Sequence, residues 1–233
     1  WIRLAIASAF QPKEYMPIDE WVEKENFMLP SNTAEPGRYN VNRAPYQKMI
    51  LHVMSPEDPA RVIVLDFGSQ MGKTTAEILG MSYYMRESPS PIGFGFSDDA
   101  NLRNFVKAKF DPVLAANPEI RALLRSDGRT SADTLTSKQF PGGYLKFFSG
   151  KSESSMRAHS FRLIIADEVD AMGLTKGGDL KSLLMKRQNT FRETAKLVLS
   201  STPLNDGVIC SYLEESTHRK YFVPCPHCGE FFT

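Results

Sequence analysis

A run of small residues, one lysine and a pair of carboxylates carry most of the chemistry this chain offers. Gly68-Ser69-Gln70-Met71-Gly72-Lys73-Thr74 sets small residues ahead of a lysine and a hydroxyl. Small residues let backbone N–H groups approach phosphate oxygens. The lysine reaches β- and γ-phosphates, and the Thr74 hydroxyl is a ligand for Mg²⁺. Phe67 stands where the usual pattern has its first glycine. Taken out of context, the same stretch is a tight turn with a surface lysine.

Leu163-Ile164-Ile165-Ala166-Asp167-Glu168 is an apolar run that delivers two adjacent carboxylates. Asp167 suits Mg²⁺, and Glu168 suits the orienting and deprotonating of a water that attacks the γ-phosphate. By itself the pair also reads as a helix cap after a strand. Downstream, Ser200-Ser201-Thr202-Pro203 closes another apolar run with hydroxyls. There Ser201 and Thr202 are placed to sense the γ-phosphate, although strand-end hydroxyls are common. Arg43-Ala44-Pro45-Tyr46-Gln47 offers a stacking ring beside an amide that both donates to and accepts from an adenine edge. An exposed helix N-terminus is the plainer alternative. Arg157 is a candidate to neutralise transition-state charge, an effect worth roughly 10³ to 10⁵ in rate for an arginine finger. Contact with DNA phosphate or with solvent fits it as well.

Cys225-Pro226-His227-Cys228-Gly229 reads as half of a zinc ribbon or as a thiol–disulfide centre. A redox pair needs a βα unit around it, so the spacing favours zinc. Cys225 and Cys228 are then two of four ligands of an incomplete site, with Cys210 and His218 as candidate stand-ins. Gly93-Phe94-Gly95 lacks the third glycine of a dinucleotide fingerprint and is set aside.

The elements that must position these groups follow from periodicity. Val62-Ile63-Val64-Leu65 is a β-branched run before the glycine turn, and helical spacing resumes through Ile78, Leu79, Met81 and Met85. The order is strand, turn, helix. Further strands are predicted over 92–96, 144–148, 162–166 and 196–200, with a capping signal at Ser97-Asp98-Asp99 and helices between. Strands alternating with helices predict a three-layer α/β fold with a largely parallel sheet, whose carboxyl edge is where ligands bind. Helical spacing is also predicted within 18–27, over 46–54 and over 119–124. Residues 1–45, rich in proline, read as an N-terminal arm, 46–220 as a phosphate-loop ATPase domain, and 221–233 as the start of a zinc-ribbon-like segment.

Composition narrows the classes. The chain has 233 residues, 42% hydrophobic and 24% charged, which excludes a disordered or collagenous chain. Net charge is +1, so a polyanion site must come from local clusters such as Arg103, Lys107 and Lys109, or Lys181, Lys186 and Arg187. Each cluster reads equally as a solvated helix face. No run reaches membrane-spanning length, and the three cysteines form no disulfide framework, so a chain of a reducing compartment is expected.

Taken together, the motifs resemble the large terminase subunit of tailed bacteriophages, of the lambda-like family. They are Ala44-Pro45-Tyr46-Gln47, Gln70-Met71-Gly72-Lys73-Thr74, Phe140-Pro141-Gly142-Gly143, Asp167-Glu168-Val169-Asp170, Ser201-Thr202-Pro203 and Tyr221-Phe222-Val223-Pro224-Cys225-Pro226-His227-Cys228. The resemblance runs from about Trp21 onward. It implies an ATP-driven motor that draws double-stranded DNA into a procapsid in the host cytoplasm. The motor would work as a ring at the portal with a small terminase subunit, and a separate nuclease domain would lie outside this chain. Two rival readings remain: a helicase-like DNA translocase, and a non-enzymatic zinc-ribbon DNA-binding module on a degenerate nucleotide fold.

Overall fold

The computed structural model of the protein describes residues 15–124, 134–150, 159–172, 179–202 and 207–233. Helix α1 (Ile18–Lys24) leads to the short antiparallel pair β1 (Met28–Leu29) and β2 (Gly37–Arg38), then helix α2 (Tyr46–Met54). Strand β3 (Val62–Asp66), helix α3 (Lys73–Arg86) and strand β4 (Ile92–Phe96) follow. Helix α4 (Asp99–Phe105) runs through a π-helical turn, Val106–Phe110, into α5 (Asp111–Ala116) and α6 (Pro118–Arg121). Next come β5 (Ser137–Phe140), β6 (Gly143–Ser149), β7 (Leu163–Asp167), α7 (Val169–Met172), α8 (Leu180–Lys186), β8 (Lys196–Ser201) and α9 (Val208–Glu214). A hairpin of β9 (Val223–Pro224) and β10 (Phe231–Phe232) completes the described chain.

Six of these strands form one sheet in the order β3-β8-β7-β4-β6-β5. All its pairs are parallel except β5 with β6. The five parallel strands are the five predicted from β-branched and aromatic runs. Strand β5 was not predicted, because Ser137-Lys138-Gln139-Phe140 is a mostly polar edge segment with no apolar alternation. It pairs back on β6 around Pro141-Gly142, with Gly142 at φ 84°.

Alternation along the strands builds a core on each face of the sheet, the three-layer arrangement expected. Leu163 and Ile165 of β7 and Val198 of β8 join one core, with α1 to α6. Ile164, Ala166, Leu197 and Leu199 join the other, with α7, α8 and α9. The described part of the arm is built into the first core through Ile18, Trp21, Val22, Phe27, Tyr39 and Val41. Truncating a buried aliphatic such as Ile165 would cost about 2–5 kcal/mol. Strand β4 explains its own glycines: a Cβ on Gly95 would lie 2.4 Å from the Phe148 ring, and one on Gly93 would press on Phe148 and Phe161 at 3.1–3.2 Å. The Gly93-Phe94-Gly95 pattern therefore makes room for two rings. Asp98 caps α4 as predicted, accepting from the N–H groups of Ala100 and Asn101 at 2.9 Å. Among the described residues no helix is long and apolar enough to cross a membrane.

Candidate active site

Strand β3 runs into an exposed loop, 68–71, that returns as α3. Beyond the strand's end Phe67 N–H still donates to Ser201 C=O at 3.2 Å, which ties the loop's stem to β8. Gln70 (φ 61°) and Gly72 (φ 76°) both take the left-handed conformation, curling the backbone into the first turn of α3. Gly72 is its N-cap and supplies no side-chain cap, so the first N–H groups of a 14-residue helix are left for an anion.

The loop is braced from the side of α2. Tyr46 Oη donates to Met71 C=O at 2.8 Å, and Gln47 Nε2 donates to the carbonyls of Met71 and Gly72 at 3.4 and 3.3 Å. Gln47 Oε1 accepts from Tyr39 Oη at 2.9 Å. A Cβ on Gly72 would lie 2.2 Å from Gln47 Nε2. In this arrangement both ends of the buried Gln47 amide are engaged in support of the loop rather than presented to a base. The Tyr46 ring packs on Phe67 (6.0 Å between centroids) and Tyr221 (5.9 Å). The residue that replaces the usual first glycine is thus part of the loop's aromatic footing.

At the same edge, Lys73 Nζ lies 2.7 Å from Asp167 Oδ1, the two side chains being only 12% and 9% exposed. Strand β8 lies between β3, whose loop leads to Lys73 at the start of α3, and β7, which ends at Asp167, so the contact reaches across the end of β8. Glu168 is exposed and sits at φ 59°, in the turn from β7 to α7, where its carbonyl accepts from Ala171 N–H at 2.9 Å. A non-glycine residue in that conformation is held there by its surroundings at about 1–3 kcal/mol of local strain, a pattern common at functional sites. Thr74 is half-buried in the first turn of α3. The set fits Mg-ATP: an uncapped helix start, a cradle that no Cβ would share, and a lysine ammonium already seated as the cation on Asp167.

Two participants were not read from the sequence. Ser200 is fully buried, and strand register places it directly opposite Asp167. Its Oγ is 2.5 Å from Glu77 Oε1 and 3.1 Å from Asp167 Oδ1. Glu77 has no exposed surface, and its Oε2 has no hydrogen-bond partner among the described residues. Burial, then the neighbouring Asp167 charge, pushes its carboxyl up to about 8. The available signal was spacing: Glu77 follows Lys73 by one helical turn on the same face. Ser201 Oγ accepts from Asp170 N–H at 3.4 Å, linking β8 to the start of α7, and Thr202 is exposed.

The remaining predicted residues disperse. Arg157 and Pro203 lie outside the described residues. Arg103, Lys107 and Lys109 are exposed along α4 and its π-helical turn. In the other cluster Lys181 pairs with Glu215 and lies over the Tyr212 ring at 5.1 Å, while Lys186 is exposed and Arg187 half-buried. Cys225 and Cys228 flank the turn of the β9–β10 hairpin, with Gly229 at φ 74° and its N–H donating to Cys225 C=O at 2.9 Å. Backbone N–H groups of Cys228 and His227 hold the Cys225 thiol below its ordinary range. Cys210 and His218 do not join them: no group of three or more His, Cys, Asp or Glu side chains able to hold a metal forms among the described residues. Cys210 instead packs at the edge of the second core, because the spacing of α9 turns it inward.

Comparison with known proteins gives this geometry its family. The chain is 28% identical to the terminase large subunit of Enterobacteria phage P21 over 219 residues, 91% of this chain and 33% of that protein. It is 26% identical to that of Escherichia phage lambda over 238 residues, 99% of this chain and 36% of that protein. It therefore spans about a third of the length of these curated relatives. The large terminase of bacteriophage HK97 superposes with a TM-score of 0.65 at 16% identity, covering 86% of this chain and 41% of that one. The large terminase ATPase domain of Thermus phage P74-26 gives 0.52 at 13% identity, covering 71% and 67%. Residues 33–233 match the family model described as phage terminase large subunit gpA, ATPase domain, and the chain belongs to that family.

Proposed function

We propose that this domain hydrolyses Mg-ATP and, within a whole terminase, uses that hydrolysis to move double-stranded DNA into a procapsid. One observation carries the reading: the 2.7 Å contact of Lys73 with Asp167, which unites the phosphate loop and the acidic strand at the sheet's carboxyl edge.

In this reading Gly68, Ser69, Gln70, Met71 and Gly72 present backbone N–H groups to the phosphates, and Lys73 turns from Asp167 to the β- and γ-oxygens. Thr74 and Asp167 would hold Mg²⁺, which when bound neutralises charge on the phosphates. Glu168 orients and deprotonates the attacking water. Ser201 and Thr202 report the γ-phosphate to β8 and α7. Tyr46 takes part in base stacking from the loop's side, Gln47 being its brace, and Arg157 supplies positive charge to the transition state. DNA is contacted through phosphates, since a motor must pass over any sequence, with Arg103, Lys107 and Lys109 as the favoured patch. Cys225 and Cys228 would supply two of four donors to a Zn²⁺, the other donors coming from elsewhere. The small terminase subunit, the portal and further copies in a ring are the partners, in the host cytoplasm, and cleavage of DNA belongs to a separate nuclease domain.

The test is Mg-ATP hydrolysis with and without double-stranded DNA, alongside Glu168→Gln and a nucleotide titration. Turnover lost in Glu168→Gln with nucleotide binding retained is the expected result. Absence of nucleotide binding by the unmodified chain refutes the reading and promotes the zinc-ribbon alternative.

A further inference from the structure

The buried triad behind the site poses a proton-counting problem. Ser200 Oγ sits 2.5 Å from Glu77 Oε1 and 3.1 Å from Asp167 Oδ1, with all three side chains screened from solvent. A hydroxyl has one proton and can donate to only one of two carboxylate oxygens at a time. Were both acids charged, one acceptor would face another at hydrogen-bond distance without a donor between them, an arrangement that low dielectric makes costly. A proton on Glu77 removes the conflict. Glu77 then donates to Ser200 Oγ, and Ser200 donates its own proton to Asp167 Oδ1, the oxygen that also receives Lys73 at 2.7 Å. The carboxylate is gripped by that one oxygen.

We propose that Glu77 is a positioning residue of the nucleotide site, a neutral acid that acts through Ser200 to fix the Asp167 carboxylate for its metal. This deepens the hydrolytic reading above and rests on it. Three observations converge on the assignment. Glu77 has no exposed surface, and among the described residues its Oε2 has no hydrogen-bond partner and Ser200 alone bonds its Oε1. The register of β7 and β8 makes Ser200 the direct neighbour of Asp167, so the link is set by the sheet and not by a mobile loop. Burial favours the neutral form, the charges facing the group being Asp167, Lys73 and Glu168. Partners of this kind, bonded behind a ligand, set its orientation, and their loss weakens metal affinity by about 10- to 100-fold.

The experiment has two readouts that need no turnover, an infrared spectrum and the Mg²⁺ concentration that half-saturates nucleotide binding. The infrared spectrum of the unmodified chain at neutral pH is expected to show the C=O stretch of a buried protonated carboxyl, lost in Glu77→Gln. Glu77→Gln, whose amide donates to Ser200 in the acid's place, should keep its Mg²⁺ requirement within about threefold of the unmodified chain. Glu77→Met, of similar volume but without a donor, should raise it at least about 10-fold with nucleotide affinity at saturating Mg²⁺ unchanged. Ser200→Ala should reproduce the shift and stands in should Glu77→Met fail to fold. No carboxyl band, an unshifted Glu77→Met or Ser200→Ala, or a Glu77→Gln as impaired as Glu77→Met would each overturn the proposal. A chain that shows the band but binds no nucleotide would instead refute the hydrolytic reading.

Discussion

Gly72→Ala tests whether the phosphate loop is pre-formed by its packing. The substitution adds one methyl group, and the structure says where it goes: 2.2 Å from Gln47 Nε2, at a backbone φ of 76°. An L-residue in that conformation costs about 1–2 kcal/mol. Gln47 must also leave, giving up its bonds to Met71 and Gly72 at 3.4 and 3.3 Å, both long and together worth about 1–2 kcal/mol. The native loop is thus disfavoured by about 2–4 kcal/mol, which corresponds to roughly 30- to 900-fold weaker nucleotide binding if only the native loop binds. Equilibrium titration with a fluorescent ADP analogue in saturating Mg²⁺ measures the change directly. The same substitution in a Gln47→Ala background isolates the clash, because the backbone term remains while the obstructing amide is gone. There Gly72→Ala should cost only about 5- to 30-fold. Equal losses in both backgrounds, or undiminished affinity in Gly72→Ala, would refute the idea that Gln47 and the left-handed glycine together set the loop.

Other outcomes follow from single features. Glu168→Gly should raise Tm by about 2–12 °C by relieving the φ of 59° while abolishing turnover, a melting curve and an ATPase assay being enough to check both. Lys196 is buried and donates to the carbonyls of Val53, Asp58 and Ala60, so Lys196→Met, which strands those acceptors, should lose about 2–4 kcal/mol in urea denaturation. Burial lowers that lysine from 10.5 to about 8, so the folded chain binds fewer protons than the unfolded one between those values. The unmodified chain should therefore gain stability relative to Lys196→Met as pH rises through that window. If Cys225 and Cys228 are half of a thiolate site, Co²⁺ should give charge-transfer absorption at one metal per two chains, lost in Cys228→Ser. If the α4 patch meets DNA phosphates, alanine at Arg103, Lys107 and Lys109 together should lower the slope of log K against log salt by about 2–3.

What was legible in the sequence was whatever leaves a period or a punctuation mark. The apolar runs ahead of Gly68 and Asp167 read as strands, half-buried in the marginal β3 and buried throughout in β7, and a glycine turn followed by helical spacing marked the loop between β3 and α3. The hidden parts are groups whose meaning is relational. Ser200 looks like any strand-end hydroxyl until the order of strands sets β8 between β3 and β7 and the register aligns it with Asp167. Glu77 looks like a solvent-facing helical acid, because sequence cannot tell which face of α3 meets the sheet when nearly every position of that helix is buried. Gln47 was read for the hydrogen bonds an amide can offer, and only the fold reveals that Tyr39 and the loop carbonyls engage them. Strand β5 escaped because an edge strand is free to be polar.

The strand that carries the phosphate loop lies at the margin of the sheet, with β8 as its one neighbour among the described residues. Seen as a machine part, the loop hangs from a single hinge leaf. A tug at its phosphate end passes through the backbone into β8 by the five paired residues from Val62 to Asp66 and the extra bond at Phe67. That same leaf carries Ser200 toward the acidic strand and Ser201 toward α7. Recoil of the loop therefore reaches the sheet by two paths, the paired backbone of β8 and the Lys73–Asp167 contact to β7.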